Sequence, residues 1–254
     1  MFLTATIITH NESANIERCL NSLIGVVDEI IVVDSMSTDG TPEICRRYGA
    51  RVTSRPFGGF GSQRQYAVSL AGSAYVLSID ADEVLSEELR HTIIAAKKAG
   101  FEHRMYAFRV VNYICGRPVQ HSGMEPAWQI RLFDKRYATW DVLDVGERLS
   151  HPAGVLPAHV DGDLYHFRCN TAAELDVKEL RNARIRGRVL AAAGVSAPAP
   201  LQWFRAACSF VGCHLRSGAF LDGDAGRAIA RARYKATLEA YRTARSIHKK
   251  GDKL

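Results

Sequence analysis

Apolar residues in the first hundred positions gather into short runs of strand length. Residues 2–8, 29–34, 51–53 and 75–79 are rich in Ile, Val, Leu and Thr, as buried strands are. Between the runs the period lengthens. Ile16, Cys19, Leu20 and Leu23 recur at i, i+3, i+4 and i+7, which predicts an amphipathic helix. Thr41 and Pro42 offer an N-cap and a proline at the first helical position. A helix is expected to begin near Ser62. Another is predicted over 86–99, with Ser86 as N-cap and Gly100 as C-cap. Strands alternating with helices at this spacing predict an α/β fold, a parallel sheet with helices on both faces.

From about residue 105 the texture changes. Residues 105–111, 128–133, 155–159 and 164–167 read as strands joined by irregular loops. Helix signals return with Thr171 and Glu174, the spacing of a capping box, heading a long basic helix to about Ala193. Pro198-Ala199-Pro200 interrupts it. Residues 201–221 are apolar and aromatic, but Arg205 and Arg216 bracket only ten uncharged positions. That is too short to span a bilayer and long enough to lie on one. A last helix, about 224–247, carries Arg227, Arg231, Lys235 and Arg242 within an arc of about 80°. The expected organisation is a body of 1–170, its halves 1–104 and 105–170, followed by a basic helical region, 171–254.

Two of the strands stop on acids. Residues 29–34 end at Asp34, and 75–79 run into Asp80-Ala81-Asp82-Glu83. A buried strand ending this way delivers carboxylates to the carboxyl edge of a sheet, where open α/β folds bind ligands. On an extended backbone Asp80 and Asp82 face the same way. Such a pair suits Mg²⁺ or Mn²⁺ held jointly with substrate phosphates. The plainer alternative is an acidic turn leading into the helix at Ser86, with Glu87 and Glu88 at its positive end. No GxGxxG follows the first strand and no GxxxxGK[ST] occurs, so dinucleotide and P-loop sites are not signalled.

Composition narrows the partners. The chain has 254 residues, 47% hydrophobic and 24% charged, ordinary for a soluble globular protein. No basic n-region precedes His10-Asn11-Glu12, and the six cysteines form no CxxC pair. Both features predict a cytoplasmic protein with reduced thiols. The net charge of +6 is uneven. Residues 1–170 carry 17 basic and 20 acidic side chains, and residues 171–254 carry 16 and 7. A basic tail on an acidic body points to an anionic surface. With no nucleic-acid module in sight, a membrane face is preferred over nucleic acid.

Several stretches together carry a family resemblance. They are Ile8-Thr9-His10-Asn11-Glu12, Asp28-Glu29-Ile30-Ile31-Val32-Val33-Asp34-Ser35, Asp39-Gly40-Thr41 and Asp80-Ala81-Asp82-Glu83. The chain resembles family-2 inverting glycosyltransferases of the GT-A fold. Within them it looks like the bacterial lipopolysaccharide core β-glucosyltransferases that act on inner-core heptose. Gly59-Phe60-Gly61-Ser62-Gln63-Arg64, Gly116-Arg117, His121-Ser122-Gly123, Arg131-Leu132-Phe133 and Leu221-Asp222-Gly223 support this. Where the family pattern has Val-His-Glu, this chain reads Val145-Gly146-Glu147.

The resemblance implies a UDP-sugar donor, a lipid-linked saccharide acceptor and a peripheral position on the inner face of the cytoplasmic membrane. It implies that Thr9, Asn11 and Glu12 line the nucleotide and that Asp34 contacts base or ribose. Gln63 and Arg64 would reach the nucleotide sugar. Asp80 would face ribose or metal, and Asp82 would ligate a divalent metal. Arg131 and His166 would hold the diphosphate or a phosphorylated acceptor, with a surface arginine and a structural histidine as the alternatives. Glu147 aligns with the family's catalytic base. The sequence favours it too. Asp134 abuts Lys135 and Arg136, Asp161 and Asp163 flank Gly162 like turn residues, and Gly146 would let an acceptor approach the backbone. Asp144 remains the substitute base. Another nucleotide sugar, a polyprenyl-phosphate acceptor, or a non-catalytic nucleotide or nucleic-acid binder are the competing readings.

Overall fold

Four parallel strands build the first half of the sheet. They are β1 (Leu3–Thr9), β2 (Glu29–Asp34), β3 (Arg51–Ser54) and β4 (Tyr75–Asp80), in the order β3-β2-β1-β4. Helices α1 (Ile16–Leu23), α2 (Thr41–Arg47), α3 (Phe60–Leu70) and α4 (Glu87–Ala99) connect or follow them. These strands are apolar on both faces because both faces are covered. On one side Leu3, Ile7 and Leu77 meet Ile16, Leu20, Leu89 and Ile93. On the other, Ile31 and Val76 meet Val68, Phe133 and Trp140. This is the expected α/β body of the GT-A type. The computed structural model describes residues 1–141 and 148–251.

The second half of the sheet is antiparallel. The strands here are β5 (Glu83–Leu85), β6 (Met105–Ile114), the short β7 (Arg117–Pro118), β8 (Ala127–Asp134) and β11 (Ala158–Cys169). The full path reads β3-β2-β1-β4-β8-β6-β11-β5. A separate pair joins β9 (Thr139–Trp140) to β10 (Leu149–Ser150).

Three expectations change. Residues 155–159 and 164–167 are not two strands, since β11 runs unbroken from Ala158 to Cys169. Asp161 and Asp163 therefore lie in a strand and not in a turn. Gly162 between them has φ +96°, and a Cβ there would stand 2.3 Å from the Leu89 amide nitrogen. The close approach of strand and helix requires glycine. At α2 the N-cap is Gly40, because the Thr41 hydroxyl is bonded to Asp39 and to the Glu12 amide.

By contact density the chain forms two units, Met1–Val110 with Ala127–His166, and Val111–Pro126 with Phe167–Leu254. The second contains α5 (Ala172–Ala192), α6 (Ala199–Val211) and α7 (Gly223–Gly251). Helices α5 and α7 meet through small residues, Ala183 against Ala236 and Ala240. A Cβ on Gly187 would lie 2.6 Å from the Ala240 carbonyl. At the start of α5 the Thr171 hydroxyl accepts from Glu174 N at 3.2 Å, and Glu174 accepts in return from Asn170 N at 2.8 Å. The Asp222 carboxylate gathers Gln120 N, His121 N and the Ser122 hydroxyl at 3.0, 3.1 and 2.5 Å. That tie joins the His-Ser-Gly and Leu-Asp-Gly stretches across about a hundred positions. Among the described residues no helix is long and apolar enough to cross a membrane.

Candidate functional site

The loops after β1 and β2 are built on two side chains. Asp34 is 1% exposed. It accepts from the Thr9 hydroxyl at 2.8 Å and from Ser37 N and Oγ at 2.8 and 2.6 Å. Asn11, at φ +56°, accepts from Thr38 N at 2.8 Å. A positive φ suits asparagine better than most residues. Glu12 accepts from Asn15 Nδ2 at 2.7 Å. Gln63, in the first turn of α3, is fully buried and donates to Ser35 Oγ at 2.9 Å. Thr9, Asp34 and Gln63 are thus buried polar groups at the carboxyl ends of β1 and β2, and Asn11 and Glu12 follow in the loop after β1.

Next to it, β4 ends in a chain of buried charges. Asp80 Oδ1 lies 2.6 Å from Arg64 and Oδ2 3.5 Å from Arg131. Arg131 also contacts Glu83 Oε1 at 2.6 Å, and Glu83 Oε2 accepts from Asp80 N at 2.9 Å. Arg64 and Arg131 are each 6% exposed and Glu83 is wholly buried. Arg64 also sits over the Trp140 ring at 5.0 Å. Burial alone would raise the Asp80 carboxyl, but the two guanidinium groups outweigh it and hold its pKa at about 2. For Glu83 burial wins, with the Asp80 charge adding to it, so its pKa lies above the usual carboxylate range despite Arg131.

The backbone turns at Ala81 and Asp82, so the extended alternation predicted for this stretch does not hold. Asp80 and Asp82 are separated. Asp82 Oδ1 instead meets His166 Nε2, on β11, at 3.2 Å. Burial disfavours the imidazolium, but the hydrogen bond and charge of Asp82 prevail and raise the His166 pKa.

Among the described residues no group of three or more His, Cys, Asp or Glu is arranged as a metal cage. The donor set nevertheless fits a divalent ion that takes most of its oxygens elsewhere. Mg²⁺ and Mn²⁺ commonly use one or two carboxylates plus substrate phosphates, and imidazole is acceptable to Mn²⁺. Asp82 and His166 offer one oxygen and one nitrogen side by side. Asp80 is matched by two arginines.

Sequence reasoning gave no role to Glu83 or Trp140. The third acid of Asp-x-Asp-Glu was visible, but its need for a buried arginine was not. Trp140 carried no local signal. Residues 142–147, with the expected base Glu147 and the substitute Asp144, lie outside the described residues. Their flanks are joined by Asp141 N donating to Arg148 O at 2.9 Å.

Residues 4–157 match the glycosyl transferase family 2 domain. An uncharacterized glycosyltransferase of Rickettsia felis is 39% identical over 140 residues, which is 54% of this chain and 50% of that protein. The chain thus spans about half the length of this relative. Glycosyltransferase RP128 of Rickettsia prowazekii is 30% identical over 85% of this chain and 75% of its own length. The lipopolysaccharide core biosynthesis glycosyltransferase LpsC of Rhizobium meliloti is 28% identical over 72% of this chain and 70% of its own. Among solved structures, S. aureus TarS superimposes with a TM-score of 0.48 at 16% identity, over 97% of this chain and 55% of that one.

The charge chain generates a stability prediction. Removing one partner of a buried pair strands the other, at about 3–5 kcal/mol. Glu83→Ala is therefore expected to lower the urea midpoint steeply. Adding Arg131→Met to it should recover part of the loss, because the stranded charge is removed. Urea unfolding of the two single variants and the double variant reads this directly. A Glu83→Ala protein within experimental error of the parent would refute the pairing.

Proposed function

The chain belongs to glycosyl transferase family 2, and from that premise we propose that it moves a hexose, glucose first, from a UDP-sugar to an inner-core heptose of lipopolysaccharide. The observation that carries this reading is the juxtaposition of Asp82 and His166 at 3.2 Å beside the Arg64–Asp80–Arg131 cluster. It sets candidate metal ligands beside two fixed guanidinium groups at one sheet edge, where hydrogen-bond donors could reach a diphosphate leaving group. The likeness to LpsC over 72% of the chain supports the lipopolysaccharide acceptor.

In this mechanism Thr9, Asn11, Glu12 and Asp34 shape the nucleotide pocket, Gln63 bracing the wall through Ser35. Arg64 orients the donor sugar while Asp80 fixes it in place. Asp82 and His166 would hold the divalent ion, which when bound neutralises charge on the leaving diphosphate. Arg131 holds the departing diphosphate or an acceptor phosphate. Glu147 takes the proton from the acceptor hydroxyl. That oxygen bonds the anomeric carbon as the carbon–diphosphate bond breaks on the opposite face, which inverts the configuration.

The second unit supplies the proposed membrane contact from the cytoplasmic side. Among the described residues, Trp203, Phe204, Val211, Leu215, Phe220 and Leu221 are all at least half exposed. They share residues 171–254 with the nine net positive charges. Each basic residue near an anionic leaflet contributes about 1 kcal/mol.

Two measurements check these assignments. Across UDP, GDP and ADP sugars, hydrolysis is expected with UDP-glucose, and Glu147→Gln should lower transfer to a heptose acceptor about 10²–10⁴-fold with little change in UDP affinity. Hydrolysis of none of these sugars, or near-normal transfer by that variant, contradicts the respective assignment. The protein should also sediment with phosphatidylglycerol vesicles, less so in high salt or as Trp203→Ala/Phe204→Ala. Failure of the parent protein to sediment counts against the membrane contact.

A further inference from the structure

The exposed start of β8 carries a feature that neither the donor site nor the core uses. The Trp128 indole lies on the His159 imidazole, centroids 4.2 Å apart and planes 9° from parallel. Trp128 is 46% exposed and His159 is exposed as well. The rest of the strand behaves otherwise, since Arg131 through Asp134 are buried. A large ring left in water forgoes roughly 1.5–3 kcal/mol of burial, so a stacked and exposed pair is more than core packing requires.

Its surroundings are polar but nearly neutral. Arg109, opposite Trp128 in the β6–β8 ladder, forks onto Asp163 at 2.6 and 2.9 Å. Asp161, on the same face of β11 as His159, is exposed. With Arg109 matched by Asp163, this face is poorly suited to a phosphate. It suits a ring with an apolar face and a rim of hydroxyls. The π-face of an indole carries partial negative charge and attracts the C–H groups of a pyranose. Asp161, two positions from His159 on the same face of β11, and the Arg–Asp fork supply donors and acceptors for the rim.

The position is also right. Strand β8 runs antiparallel to β4, from Tyr75↔Asp134 to Leu77↔Leu132. Its exposed start therefore lies toward the Asp80 end of β4, the edge that carries the charge cluster. We propose that Trp128 and His159 form a stacking platform for a sugar ring of the acceptor saccharide. This rests on the transferase reading above and adds to it where the acceptor binds.

The test uses the full chain. It has three tryptophans, so three indole N–H resonances are expected, and Trp128→Phe identifies that of Trp128. A deacylated, heptose-containing core oligosaccharide is titrated into the parent protein, and UDP with Mn²⁺ in a separate series. The Trp128 resonance should shift with the oligosaccharide and stay with UDP. In transfer assays Trp128→Ala should raise the acceptor KM about three- to tenfold with a smaller change in kcat, and Trp128→Phe should restore most of it. A Trp128 resonance unmoved by the oligosaccharide, one moved by UDP alone, or an unaltered KM in Trp128→Ala overturns the platform. The titration needs no turnover. If the parent protein hydrolyses no nucleotide sugar, the transferase reading fails, while the indole shift still decides whether Trp128 binds saccharide.

Discussion

Asp80 meets two arginines at the end of a buried strand, and the rest of the site follows from that arrangement. Two guanidinium groups and two carboxylates occupy a region almost closed to water. Each charge there requires a partner, because an unpaired one is penalised by several kcal/mol. Arg64 is set by α3, Arg131 by β8 and Glu83 by β5. The chain of pairs therefore fixes three elements against the tip of β4. What it contributes is position more than stability, since a buried ion pair is often no more stable than packed apolar side chains. With Asp80 committed, the turn at Ala81 and Asp82 carries the second carboxylate to His166. One acid is paired with two arginines and the other with a histidine.

Much of the first hundred residues was legible from pattern alone. Strands buried on both faces leave an apolar run that period and length identify, and β2 and β4 are recovered almost residue for residue. Ser86 and Gly100 marked both ends of α4 because capping is a local interaction. Long-range pairing was less visible. Gly162 looks like a turn residue in one dimension, yet its role is set by Leu89, far away in sequence. Alternation put Asp80 and Asp82 on one face because it assumes an extended backbone, and the turn breaks that assumption. The link between Glu83 and Arg131 spans 48 positions and leaves no periodic trace.

The second unit follows a different logic. Small residues let α5 and α7 approach closely, at Ala183 and Gly187. Trp203 and Phe204 of α6 and Phe220 after it remain at least half exposed. Exposed apolar side chains on a net-basic segment are the pattern that an anionic membrane surface would accept. The charge is divided along the sequence and the chain forms two units, the features on which the proposed membrane contact rests.

The most direct test of the division of labour between the two aspartates is calorimetric titration of UDP with and without Mn²⁺. The parent protein should bind UDP tightly only with the metal. Asp82→Asn should lose the metal-dependent part of the affinity while keeping its fold. Asp80→Asn should instead show itself as a loss of thermal stability. UDP binding by Asp82→Asn that still strengthens with Mn²⁺ as in the parent protein would contradict the account.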